Sequence, residues 1–96
     1  MPLMEITIVP IGTGSASFSS HIGPALRVIE DRGLNYQVAP TCTIIEGDLD
    51  ALMDVAKEIH QNALNEGPDR VVTNIMIDHR TDKDMSMSRA VDSAQS

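Results

Sequence analysis

Apolar and polar positions along the chain follow two periods. From Leu3 to Ile11 they alternate in part, with Met4, Ile6 and Ile8 on one side and Glu5, Thr7 and Val9 on the other. A period of two predicts a strand with one apolar and one mixed face. Pro10 weakens its end or marks an edge or bulge. Gly12 to Ser20, GTGSASFSS, is small and polar and reads as a loop in which Ser19 or Ser20 can N-cap a helix. Ile22, Ala25, Leu26 and Ile29 then recur at i, i+3, i+4 and i+7, one face of a helix ending near Arg32. Pro24 fits that helix only in its first turn, and Gly33 suits the position just past its end.

The stretch that organises the chain is Tyr36 to Gly47, YQVAPTCTIIEG. Two short runs, Tyr36–Ala39 and Cys42–Ile45, are broken at Pro40 and predict two strands with a bend between them. Asp48 caps a second helix that runs to about Asn65, with Leu49, Leu52, Met53, Ala56, Ile59, His60 and Ala63 along one face. Gly67-Pro68 stops it. Arg70 to His79 is the last strand. Val71, Thr73, Ile75 and Ile77 form one of its faces; Val72, Asn74, Met76 and Asp78 form the other. Residues 1–80 make one domain. The tail, 81–96, is polar; Met87, Ala90 and Val91 offer a short helical face if a neighbour covers it, and otherwise the tail is disordered.

The order β-α-β-β-α-β predicts an α+β, ferredoxin-like two-layer sandwich: a four-stranded antiparallel sheet with both helices on one face. In this reading the first and last strands lie side by side in the middle. The second and third lie at the edges, too far apart for a paired hairpin. The face away from the helices takes Thr7, Val9, Val72, Asn74 and Met76, with Thr43 and Ile45 added. That face is too apolar to stand bare, so a homo-oligomer packed sheet against sheet is expected.

Composition narrows the function. A chain of 96 residues holds one core. A net charge of −7 with scattered basic residues argues against a nucleic-acid backbone as partner. It fits a cationic small ligand weakly, because salt screens such a field within about 8–10 Å; acids that keep the protein soluble are the weightier explanation. One Phe, one Tyr and no Trp leave little for stacking on a flat ligand. Cys42 is the only cysteine, which removes an intrachain disulfide or a thiolate cluster and makes a cytoplasmic setting the default. No apolar segment approaches the ~20 residues of a membrane span, and MPLMEITIVP lacks the features of a signal peptide.

Candidate chemistry is sparse. His21, His60 and His79 have no ligand spacing, and no nucleophile turn or acid–base pair stands out. His60 reads as a packed histidine, and Asp78-His79-Arg80 as a solvated strand end. Gly12-Thr13-Gly14-Ser15 lacks the Lys of a P-loop and the third glycine of a dinucleotide site. It is a strand-to-helix connection, or a place where the hydroxyls of Ser15, Ser17 and Ser20 hold a polar ligand group. Glu46 either favours the positive end of the next helix or accepts from a ligand beside Thr43. No catalysis, metal or cofactor is expected. A small-molecule binder and an oligomeric regulatory or assembly module binding a protein partner both remain open.

A wider pattern joins these pieces: a strand ending I-G-T-G-S, a helix ending Gly33-Leu34, the run Thr43-x-Ile45-Glu46-Gly47, and Arg70-Val71-x-Thr73-x-Ile75-x-Ile77-Asp78-x-Arg80. In this pattern, over roughly Met4 to Arg80, the chain resembles the small thiamine-binding, YkoF-related proteins. The resemblance implies a ferredoxin-like fold, tetramers built as dimers of dimers and, in some members, binding of thiamine or its hydroxymethylpyrimidine part. By match to the T-x-I-E-G run it implies Thr43 and Glu46 as site residues, Ser15 and Ser17 by match to the loop, and Asn74 from the last strand. The Met- and Ser-rich tail departs from the basic, apolar helix that often ends these proteins.

Overall fold

The first strand is the one the others are laid against. In the computed structural model, which describes residues 1–11, 19–83 and 86–95, β1 (Leu3–Ile11) pairs antiparallel with β3 (Thr43–Glu46) on one side and β4 (Arg70–Asp78) on the other. β2 (Asn35–Val38) pairs antiparallel with β3, giving the order β2-β3-β1-β4. Helices α1 (Ser19–Asp31) and α2 (Leu49–Asn65) cover one face, and α3 (Met87–Gln95) comes after β4 in the tail. The fold is α+β and ferredoxin-like.

Two expectations about the sheet are corrected. β1 and β4 are neighbours, but β4 is an edge strand, and the inner pair is β1 with β3. Each crossover steps over one strand: β1-α1-β2 leaves a slot that β3 fills, and β3-α2-β4 leaves one that β1 fills. β2 and β3 therefore do form a hairpin. It turns at Pro40-Thr41, where the Ala39 amide donates to the Cys42 carbonyl at 2.8 Å. The second correction concerns faces. Ile45 lies opposite Met4, and Thr43 opposite Ile6, on the helix side of the sheet. Residues paired across a ladder share a face, so Ile44 and Glu46, not Thr43 and Ile45, belong to the outer one.

The core lies between sheet and helices. Met4, Ile6 and Ile45 from the strands meet Val28 and Ile29 of α1 and Leu52, Val55, Ala56 and Ile59 of α2. Leu49 and Met53, expected on the apolar stripe of α2, are exposed, and Val55 takes a core place instead. The stripe runs through Leu52, Ala56, Ile59 and Ala63, and Leu49 and Met53 lie at its margin.

Helix ends obey local chemistry. Asp48 Oδ1 accepts from the Ala51 amide at 2.8 Å, the expected N-cap of α2. Asp48→Ala should lower the unfolding free energy by about 1 kcal/mol in urea titration. At the end of α1, Gly33 adopts φ 69, its amide donates to Glu30 O at 2.9 Å, and Leu34 N donates to Ile29 O at 3.3 Å. This is a left-handed stop that glycine adopts without strain. α1 begins at Ser19, so Ser19 and Ser20 are helical residues rather than caps, and Pro24 lies in the second turn rather than the first. Gly23 before it has no Cβ to clash with the proline ring.

Position 47 suits glycine for a steric reason: a Cβ there would stand 3.1 Å from Leu34 Cδ2. Arg32, just past α1, reaches Glu58 at 2.8 Å and Asp54 at 3.9 Å on α2. These exposed pairs add little stability. Among the described residues no helix is long and apolar enough to cross a membrane.

Candidate functional site

The hairpin turn creates a ligand-sized space. The β1–β3 ladder runs from Leu3↔Glu46 to Ile6↔Thr43 and stops, because the chain has turned at Pro40-Thr41. β1 continues to Ile11, paired only with β4. Among the described residues, no strand lies against the hairpin-facing edge of Thr7, Ile8 and Val9. A cleft of ≈ 330 Å³ opens there, lined by Ile6 to Val9 on one side and Val38 to Thr43 on the other.

Its walls are mainly apolar: Ile6, Ile8, Val9, Val38, Ala39 and Pro40. Polar anchors are few. Thr7 Oγ1 donates to the Thr41 carbonyl at 3.1 Å, tying the hairpin tip back to β1. Thr43 is half-buried in the cleft, and so is Cys42, a free thiol. An apolar slot with hydroxyls and a bare strand edge suits a small planar molecule that has its own donors and acceptors.

The expected site residues separate. Thr43 lines the cleft. Glu46 is on the outer side of the sheet, half-buried, and its Oε2 accepts from the Met87 amide at 3.0 Å. It therefore holds the N-terminus of α3, while α2 has its own cap in Asp48. Asn74 is exposed on the outer face, opposite Thr7 in the β1–β4 register. Ser15 and Ser17 lie outside the described residues. Motif reasoning does not single out Thr7 and Thr41. The signal that could find them is length: a nine-residue strand beside four-residue strands must leave part of its edge unpaired.

A second, wider groove of ≈ 720 Å³ lies between β2 and α3, bordered by Asn35, Gln37, Glu46 and Asp92. It is open and polar. Tyr36, at its margin, donates its hydroxyl to Glu30 Oε1 at 2.5 Å. That hydrogen bond raises the phenol pKa above its ordinary value, with desolvation and the charge of Glu30 adding to it. His60 Nδ1 lies 2.6 Å from Thr73 Oγ1, in the packed role expected for it. Arg80 folds onto Asp82 at 2.9 and 2.6 Å at the solvated end of β4. Among the described residues no cluster of His, Cys, Asp and Glu could hold a metal ion.

Likenesses to known proteins bear on this geometry. A family model described as thiamine-binding protein matches residues 4–95. A UPF0045 protein of Methanothermobacter thermautotrophicus is 36% identical over 92 residues, covering 95% of this chain and 93% of that one. The crystal structure of the Methanocaldococcus jannaschii hypothetical protein MJ1052 superposes with a TM-score of 0.90 at 34% identity, covering 98% and 95% of the two chains. A thiamine biosynthesis or salvage candidate from Thermotoga maritima shares the fold at a TM-score of 0.81 and 24% identity, covering 97% of each chain.

Proposed function

The chain belongs to the thiamine-binding protein family, and from that premise we propose that it binds thiamine or its hydroxymethylpyrimidine part, without catalysis, in the cleft between β1 and the β2–β3 hairpin. The observation that carries the reading is the cleft itself: an apolar slot of ≈ 330 Å³ with Thr43 and Thr7 at its walls. That volume is at the lower end for small-molecule sites, so the pyrimidine half is the better fit. A hydroxyl can donate to a ring nitrogen or accept from the exocyclic amine. The bare edge of β1 adds backbone groups of both kinds. Ser15 and Ser17, outside the described residues, are included in the proposal as ligand contacts. The reading is cytoplasmic, where the Cys42 thiol stays reduced.

The same proposal includes a homo-oligomer, a dimer of dimers with outer sheet faces in contact. Its support is the apolar content of that face: Val9, Ile11, Ile44, Val72 and Met76 lie there by register. Glu46 and Asn74 face the same way, so a ligand that they contact lies on the outer face rather than in the cleft.

Calorimetry tests the binding. Hydroxymethylpyrimidine and thiamine should both give heat, and Thr43→Val should weaken the pyrimidine by about tenfold, one lost hydrogen bond to a buried group. Glu46→Gln should leave binding in the cleft within about threefold. No heat at millimolar concentrations of either compound, or unchanged affinity in Thr43→Val, overturns the assignment.

A further inference from the structure

Taking the cleft as the binding place inferred above, we propose that the main chain of Ile8 is what reads the ligand there, and that the ligand class is wider than thiamine: heteroaromatic rings with an amino group beside a ring nitrogen, cytosine among them. In an antiparallel ladder the N–H and C=O of one residue point to the same side, and those of the next residue to the other. Two features fix the sides of β1. Just before the strand, the Pro2 carbonyl accepts from the Gly47 amide at 3.4 Å, so the even positions face β3. Met4 with Ile45 and Ile6 with Thr43 are then the hydrogen-bonded pairs. At the other end Pro10, which has no N–H, stands opposite Val71 in an unbroken ladder to β4. It fits there because its nitrogen faces away from β4, the side that Ile8 also faces. Thr7 and Val9 point the other way, to Asn74 and Val72 of β4.

Two positions beyond Ile6 and Thr43, the same register would set Ile8 against Thr41 and exchange two hydrogen bonds between them. The chain has instead turned at Pro40-Thr41, and the Thr41 carbonyl accepts from Thr7 Oγ1. Among the described residues no strand residue takes the vacated place opposite Ile8. The half-buried Ile8 thus turns one donor and one acceptor, side by side, onto a cleft whose walls include Ile6, Val38 and Pro40. Peptide groups shielded from water need partners. An amidine edge supplies both at once: its amino group donates to the Ile8 carbonyl, and the adjacent ring nitrogen accepts from the Ile8 N–H. The apolar walls cover the faces of the ring. A ring that lacks either half of that edge leaves one peptide group unmet. The thiazolium half of thiamine has no such edge, so the pyrimidine half is the one held.

Amide exchange and an analogue series test it on the full chain. In the free protein, exchange followed by NMR should show Thr7 and Val9 protected by β4, with Ile8 between them exchanging at least about tenfold faster. Hydroxymethylpyrimidine and cytosine should each bind in calorimetry and slow exchange at Ile8. The same hydroxymethylpyrimidine without its amino group should bind at least about tenfold more weakly.

Ile8→Pro removes the donor and keeps the ladder to β4, since its nitrogen faces the same way as that of Pro10. It should bind hydroxymethylpyrimidine about tenfold more weakly than wild type. An analogue with carbon in place of the ring nitrogen beside the amino group should bind both proteins with the same reduced affinity, because the bond that the variant loses is one this analogue never makes. The exchange and analogue measurements use the wild-type chain, so they decide the matter even if Ile8→Pro does not fold. An Ile8 amide as protected as its neighbours in the free protein, equal binding of the compounds with and without the amino group, or no binding of cytosine overturns the proposal and leaves cleft binding of hydroxymethylpyrimidine standing. No heat from either pyrimidine removes the cleft reading, and this proposal with it.

Discussion

Ile45→Ala is expected to lower the unfolding free energy by about 3–4 kcal/mol, while Ile44→Ala, one residue earlier, costs less than about 1 kcal/mol in the monomer. Ile45 is fully buried, paired with Met4 on β1 and with Tyr36 on β2, beneath the two long helices. Removing its three outer carbons leaves a space that close-packed neighbours cannot fill without strain. Ile44 sits opposite Glu5 and Gln37 on the other face, half-buried, with a smaller area to lose. For a chain of this size the first variant should melt at least about 12 °C below wild type. Urea titration of both variants at low protein concentration decides the matter. Equal losses at the two positions would mean that the phase of β3 is wrong and that the outer face has a different composition.

Glu46→Ala should release α3. A nine-residue helix is too short to persist alone in water, because nucleation is costly and few hydrogen bonds come after it. What holds it is tertiary contact, and the Glu46 carboxylate on the Met87 amide supplies both a charge-assisted hydrogen bond and a negative charge at the positive end of the helix. Hydrogen exchange should show amides in 88–95 losing most of their protection, with the β1–β4 amides unchanged. Glu46→Gln keeps an acceptor and loses the charge, so it should lie between the two. If protection in α3 is the same in wild type and Glu46→Ala, the helix is held by other contacts. Glu46 would then be free to meet a ligand on the outer face.

Ile45 and Glu46 mark the boundary between what local pattern reports and what it does not. The limits of the strands, the cap at Asp48 and the stop at Gly33 depend on neighbours within a few positions, and local pattern reports them well. The phase of Cys42–Ile45 is different. With Thr43 and Ile45 on one side and Cys42 and Ile44 on the other, the run has no clearly polar face, and a slip of one residue exchanges the two sides. Strand order is also non-local, because periodicity says which face a residue joins and nothing about which strand lies next to it.

The partner of Glu46 is in the tail, 41 positions away, in a segment whose composition predicts no strong structure. The cleft is legible only indirectly. Family resemblance points to Thr43, whereas Thr7 and Thr41 are brought together by a hairpin that the linear pattern reads as two separated edges.

The partnership of β1 with β4 also governs when the molecule can form. On the ribosome β1 must wait for β4, since Leu3 is opposite Asp78 and Ile11 opposite Arg70. Until then only the hairpin and the amphipathic helices can take shape beside it. A closing step between such distant parts of the chain is slow compared with local events. Synthesis halted before Arg70 therefore yields no smaller working version of the protein, only a chain whose central ribbon keeps its short ladder to β3 and lacks its long one.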